Sequence, residues 1–283
     1  MRAQHNVSDA QDILSAANFR RLANFIQQYS GIKMPPAKKT MLEGRLRRRV
    51  REQGLGSLDD YCALLFEEGG LEAEAIHLID AVTTNKTDFF REPAHFDFMV
   101  ERALPKMLRE GRRSIRAWSA ACSTGAEPYT LAMLLDDFCR QQRGCDYSIL
   151  ATDICTQVLA QAVRGVYPAA TIEPTPAALR KRHILAARDP KRSEVRIAPH
   201  LRARLSFARL NLMDQSYPAP RDLDFLFCRN ILIYFDKQNQ AAVLNRLCGH
   251  IRPGGYLFLG HSETIVGLDL PVRAVASTIF ERI

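Results

Sequence analysis

Apolar residues in the first hundred positions recur at helical spacing. Phe19, Leu22, Phe25 and Ile26 line one face of residues 18–29, and Gly31 follows where a helix C-cap sits. Pro35 and Pro36 restart the chain at a helix N-terminus, and Leu42, Leu46 and Val50 extend an apolar stripe to about residue 53. Ser57, with Asp60 three positions on, opens a third helix that runs to Phe66, and a fourth covers residues 71–82. No strand-like alternation interrupts these four, so residues 1–85 read as a small all-helical unit.

Beyond them the period changes to strand, turn, helix. Residues 114–119, 148–152, 205–210, 223–228 and 255–259 are short β-prone runs, and helical patterns at 128–139, 156–163 and 238–250 follow the first, second and fourth. The run 223–228 is nearly all apolar, as a strand buried on both faces should be. Residues 272–277 and 278–282 close the sheet as a terminal pair. This order predicts an α/β architecture, a mainly parallel, doubly wound sheet with helices on both faces. Residues 165–204 are too long for an ordinary connection and predict a structured insert, with a helix at 177–183 and a strand at 194–197.

The 283 residues are 47% hydrophobic and 25% charged, ordinary for a globular chain of one large domain or two unequal ones. No apolar run approaches the roughly 18 residues of a membrane helix. Residues 1–12 are polar and lack the apolar core of a secretory signal, so a cytoplasmic protein without membrane insertion is expected. Seven cysteines with no C-x-x-C pair read as reduced thiols, and the scattered histidines predict no metal site. The net charge of +8 changes meaning once it is located. Residues 33–51 carry eight basic groups against Glu43, net +7, and residues 180–209 carry ten against Asp189 and Glu194, net +8, leaving the remainder at −7. Lys38, Arg45, Arg48 and Arg49 fall in one arc of the second helix, a docking face for an acidic partner, with nucleic acid as the competing candidate.

Chemistry gathers at the ends of the strands. The turn Ala121-Cys122-Ser123-Thr124-Gly125 leads into a helix carrying Glu127, and Asp153 ends the next strand, where a carboxylate accepts from ribose hydroxyls. The turn is neither G-x-G-x-x-G nor a Walker loop. Glu127 repels phosphate and suits an ammonium or sulfonium, and S-adenosylmethionine carries both, although a turn with Gly and a strand ending in Asp also occur without any ligand. An Arg-Asn pair and Tyr234 follow the buried strand at 223–228, and residues 83–91 crowd polar donors and two aromatics between the helical unit and the sheet.

Five segments in order, TTNKTDFFR (83–91), WSAACSTGAEPY (118–129), ATDI (151–154), FCRNILIYF (227–235) and RPGGYLFLGHSE (252–263), resemble the CheR family of chemotaxis receptor glutamate methyltransferases. The resemblance is collinear from about residue 18 to the C-terminus. It implies a helical receptor-docking domain over 1–85 and a Rossmann-like, S-adenosylmethionine-dependent methyltransferase domain over 86–283, with a small β-subdomain inserted at 165–204. It implies cofactor contacts from Asn85, Thr87, Arg91, Glu127, Asp153, Asn211, Leu212, Asn230 and Ile231, with Arg91 and Tyr234 nearest the transferring methyl. The partner it implies is the acidic, glutamate-bearing helical bundle of a chemoreceptor, met by a monomer. Some family members bind a receptor C-terminal pentapeptide through the β-subdomain at a glycine-rich turn. Here residues 185–193 contain no glycine, so tether-independent action is expected. A non-catalytic S-adenosylmethionine-binding signalling protein is the alternative. A nucleic-acid methyltransferase is a weaker one, because no N-P-P-[YF] motif is present.

Overall fold

The computed structural model describes residues 12–189 and 191–283. The polar stretch ahead of residue 12, read above as no secretory signal, lies outside them. The chain divides into two compact units, residues 1–84 and 85–283.

The first unit is helical: α1 (Ala16–Ser30), α2 (Lys39–Glu52), α3 (Leu58–Phe66) and α4 (Leu71–Val82). Its boundaries follow local chemistry. Ser15 and Ser57 cap α1 and α3 by accepting from Asn18 N and Asp60 N, and Gly31 ends α1 in the left-handed region at φ 75°. Leu22, Ile26, Leu42, Leu46, Leu58, Tyr61 and Leu78 are fully buried. A buried carboxylate, Glu74, ties the helices together, accepting from Arg49 Nε at 2.6 Å, Gln53 Nε2 at 2.6 Å and the Tyr61 hydroxyl at 3.1 Å.

The second unit begins with a helical run that the hydrophobic pattern does not announce: α5 (Pro93–Phe98), a π turn (Met99–Ala103) and α6 (Leu104–Arg109). Pro105 lacks an N–H and reads in sequence as a breaker. The wide π turn just ahead of it lets the helical path continue. Then come β1 (Ser114–Ala120), α7 (Ala126–Arg140), β2 (Asp146–Asp153) and α8 (Thr156–Arg164). The insert contributes β3 (Val166–Pro168), α9 (Ala177–His183), β4 (Ile184–Ala186), β5 (Glu194–Ile197) and α10 (Pro199–Arg202). The chain closes with β6 (Leu205–Arg209), β7 (Leu223–Cys228), α11 (Lys237–Cys248), β8 (Ile251–Leu259), β9 (Val272–Ala276) and β10 (Ile279–Arg282).

The main sheet has the order β6-β2-β1-β7-β8-β10-β9, parallel through β8 and antiparallel at β10 and β9. The insert forms its own antiparallel sheet, β3-β5-β4. Strand β7 shows why the sheet needs helices on both faces: all six of its residues are buried. Phe225 and Phe227 point into a core with Phe96, Met99 and Leu131, and Leu226 and Cys228 into a second core with Val243, Leu244 and Leu247 of α11. Phe227 stacks on Phe258 at 4.1 Å. Because β2 and β7 flank β1, the crevice where the strand order reverses opens at the C-terminal ends of these three strands.

The cysteine reading needs correction at one point. Cys139, at the end of α7, and Cys145, just ahead of β2, form a disulfide with Cα atoms 4.9 Å apart. The turn that reverses the chain between α7 and β2 brings them together, a proximity that sequence spacing alone does not reveal. Cys62, Cys122, Cys155, Cys228 and Cys248 are free and buried.

Candidate functional site

The turn after β1 packs tightly. Ala121 and Ser123 adopt left-handed φ values of 61° and 51°. Gly125, at φ 92°, has no room for a Cβ, which would lie 2.9 Å from Ala162 and 3.0 Å from the Tyr167 hydroxyl. Tyr167 of β3 donates to the Thr124 carbonyl at 2.6 Å, so the insert braces this turn. Asp153, at the end of β2, is buried and accepts from Ser123 N at 2.8 Å and Cys155 N at 2.9 Å. It thereby locks the turns after β1 and β2 to each other. Asn85 joins them, its carbonyl accepting from the Ser123 hydroxyl at 2.9 Å and its amide reaching Cys155 Sγ at 3.7 Å.

A second knot centres on Arg229, just past β7. Its guanidinium, with only 2% of the side chain exposed, bonds Glu92 at 2.9 Å, Glu127 at 3.0 Å and the Arg91 carbonyl at 2.5 Å. Glu127 also accepts from the Ser119 hydroxyl at 2.7 Å. Burial raises the Glu127 pKa above the usual carboxylate range, with Arg229 and Ser119 opposing it. Burial also pushes Glu92 upward, but Arg229, Asn230 and the His261 amide outweigh it and leave that carboxyl below its ordinary value.

The candidate residues gather on these loops. Asn85, Glu127, Asp153, Asn230 and the backbone of Arg91 belong to the two knots. Asn211 and buried Leu212 follow β6, with Asn211 Oδ1 accepting from Met213 N at 3.0 Å. Thr87 is half-buried on the 85–91 segment, and Ile231 and Tyr234 are half-buried in the turn after β7. Two placements differ from the simplest picture. The Arg91 guanidinium donates to the Lys86 carbonyl at 3.3 Å, and the Asn230 side-chain amide donates to Glu92 at 3.3 Å.

The sequence reading left Glu92, Ser119, Arg229 and Glu263 without roles. Glu263 is buried and accepts from the backbone amides of Asn230, Leu232 and Gly260. Burial raises its pKa above the usual carboxylate range against those amides. One signal pointed to Arg229: an arginine directly after an all-buried strand requires a paired carboxylate.

Within the helical unit, the basic residues of α2 divide. Arg45 donates to the Val82 and Thr83 carbonyls, and Arg49 is held by Glu74 and Glu52. Arg48 is 75% exposed beside Glu52. Lys38, in the turn before α2, is half-buried, and its ammonium reaches the Lys33 carbonyl at 3.4 Å.

Among the described residues, Glu92–His95–His261 and Asp136–His183–His200 each gather three possible metal ligands. In each the carboxylate already faces a guanidinium, Glu92 with Arg229 and Asp136 with Arg140 at 2.6 Å. Burial lowers His95 and His183 to about 4.

Residues 17–83 match the family model for the all-alpha domain of CheR methyltransferases, and residues 85–280 match that for their SAM binding domain. A chemotaxis protein methyltransferase of Klebsiella aerogenes is 40% identical over 94% of this chain and 90% of its own length. One of Borreliella burgdorferi is 36% identical over 93% and 91%. Chemotaxis protein methyltransferase 2 of Pseudomonas aeruginosa is 37% identical over 93% and 92%.

Proposed function

The chain belongs to the CheR methyltransferase family, and we propose that it transfers the methyl group of S-adenosylmethionine to glutamate carboxylates of chemoreceptor cytoplasmic domains, leaving methyl esters. S-adenosylmethionine is its cofactor, and it is a chemotaxis methyltransferase. Among the described residues, no helix is long and apolar enough to cross a membrane. The donor set fits the cofactor. Asp153, whose carboxylate accepts from the turns after β1 and β2, stands at the end of β2 and suits ribose hydroxyls, because an ionised carboxylate offers about four acceptor sites. Glu127 suits the cationic amino-acid end by the same count. Leu212 and Ile231, beside Asn211 and Asn230, offer apolar and polar surface to the adenosyl group, with Asn85 and Thr87 on the segment beside the turn after β1. When bound, S-adenosylmethionine supplies an electrophilic methyl on a sulfonium centre.

The acceptor needs little activation. A glutamate side chain has a reference pKa of about 4.3 and is already anionic at neutral pH, so no general base is required. The site's contribution is positional: Arg91 holds the acceptor carboxylate, Tyr234 orients it with its hydroxyl, and the enclosing loops exclude water. The observation that carries this reading is the Arg229 knot, which ties the Arg91 backbone, Glu127 and the loop bearing Tyr234 to one buried guanidinium. The basic side of α2 and of the turn before it, with Lys38, Arg45, Arg48 and Arg49, gives the helical domain an attraction for an acidic helical bundle. The β4–β5 connection lacks glycine, which supports action without a receptor tether.

The test is transfer of labelled methyl from S-adenosylmethionine to membranes containing a chemoreceptor. Label released as methanol by mild base is the expected result. Cofactor binding without transfer, or base-stable label, contradicts the reading.

A further inference from the structure

The two loops that end β7 and β8 are joined by one carboxylate. Oε2 of Glu263 accepts from Asn230 N at 2.9 Å and Gly260 N at 2.6 Å, and Oε1 accepts from Leu232 N at 2.7 Å. These bonds are all from backbone, so Glu263 acts on chain geometry and not on another side chain. The side chain is buried, where an ionised group persists only if its acceptor capacity is well used. The loops also press together. A Cβ on Gly260 would lie 2.4 Å from the Asn230 side-chain nitrogen and 2.9 Å from its backbone nitrogen. Asn230 itself is held at φ 60°, a left-handed conformation uncommon outside glycine that the surrounding loop contacts help to hold.

We infer that Glu263 is a positioning residue for methyl transfer: its carboxylate sets the backbone of residues 230–232, and through it the placement of Ile231 and Tyr234 against the cofactor and acceptor. This rests on the functional reading above. A glutamine at 263 keeps the size but turns an N–H donor toward backbone donors. Either Asn230 and Gly260 or Leu232 then loses its acceptor, and the left-handed turn is released.

A control lies at the opposite end of the same strand. Asp224 is fully buried and bonded to Arg112, Arg252 and Arg116 N, away from the loops that carry the candidate cofactor contacts. The experiment measures the dissociation constant for S-adenosylhomocysteine by calorimetry, and kcat for methyl transfer, in full-length wild type, Glu263→Gln, Gly260→Ala and Asp224→Asn, with thermal melts of each. Glu263→Gln is expected to weaken binding about tenfold, roughly one strong hydrogen bond's worth, and to lower kcat further. Gly260→Ala should move both in the same direction. Asp224→Asn should lower the melting temperature and leave the affinity of the folded protein within about twofold. If Glu263→Gln does not fold, Gly260→Ala decides, and wild-type-like binding by it overturns the inference. Wild-type-like binding by a folded Glu263→Gln overturns it too, as does an affinity loss in Asp224→Asn that matches it, and in both cases the functional reading stands. Failure of the wild type to bind overturns both.

Discussion

At the start of β7, fully buried Asp224 pairs with Arg112 and Arg252 and accepts from the Arg116 amide, an ionic knot that ties β1, β7 and β8 together. One strand-length away, at its C-terminal end, charge is also buried, on Arg229, Glu92 and Glu263 in loops and on Glu127 in the first turn of α7. Among the described residues, seven that are not glycine have positive φ, and five of them (Phe90, Glu92, Ala121, Ser123 and Asn230) lie in those loops. The N-terminal end spends its buried charge on regular strands. The C-terminal end spends it on holding strained turns in place, which is where preorganisation for a reaction has to be stored. The same sheet thus places its regular buried ion knot at one end of its strands and its strained, charge-tied turns at the other.

The comparison breaks or sharpens under three substitutions. The largest effect is expected from Asp224→Ala. Removing one partner of a buried ion network costs about 3–5 kcal/mol, read by denaturant unfolding, with no change in S-adenosylhomocysteine affinity of the folded protein. An affinity loss in proportion to the stability loss would erase the distinction between the two ends. Next is the pH dependence at the C-terminal end. Burial holds His95 neutral, its pKa lowered from 6.5 to about 4, while the unfolded chain takes up a proton below about 6.5. A depressed native pKa means stability is complete above pH 6.5 and is lost as pH falls toward 4, up to about 3 kcal/mol. The unfolding free energy of the wild type should therefore fall more steeply over that window than that of His95→Gln; equal slopes would refute the burial argument. The smallest effect is expected from Arg48→Glu, on the exposed side of α2. Stability should change by no more than about 0.5 kcal/mol and cofactor affinity not at all, while receptor methylation at low salt declines. Unchanged methylation would remove Arg48 from the proposed docking surface.

Much of the fold is legible in sequence because its signals are local. The caps at Ser57 and Gly31, the period of α1 to α4 and the buried run of β7 each sit within a few residues of the structure they dictate. The insert's strand at Glu194–Ile197 and helix at Ala177–His183 are readable for the same reason. What escapes is long-range or counter to propensity. The helical run through Pro93–Arg109 is hidden by Pro105 and a π turn, and the Cys139–Cys145 disulfide depends on a tight reversal. Asp224, inside a run that reads as apolar, gives no hint of its partners Arg112 and Arg252. Glu127 and Asp153 stand out by their place at strand ends, but Arg229's partners lie 102 and 137 positions away in Glu127 and Glu92. Only packing reveals that one guanidinium fastens three segments. Likewise, the basic face of α2 is visible as charge density, yet the structure alone distinguishes exposed Arg48 from Arg49, which is committed to Glu74.

The claim that the C-terminal end of the sheet positions an acceptor, and does not merely hold a cofactor, is tested most directly by Tyr234→Phe. Its affinity for S-adenosylhomocysteine and its single-turnover rate of receptor methylation would be measured side by side. The account predicts a rate lowered by about tenfold or more with affinity unchanged, because the hydroxyl acts on the acceptor. Equal losses of affinity and rate, or no loss of either, would contradict it.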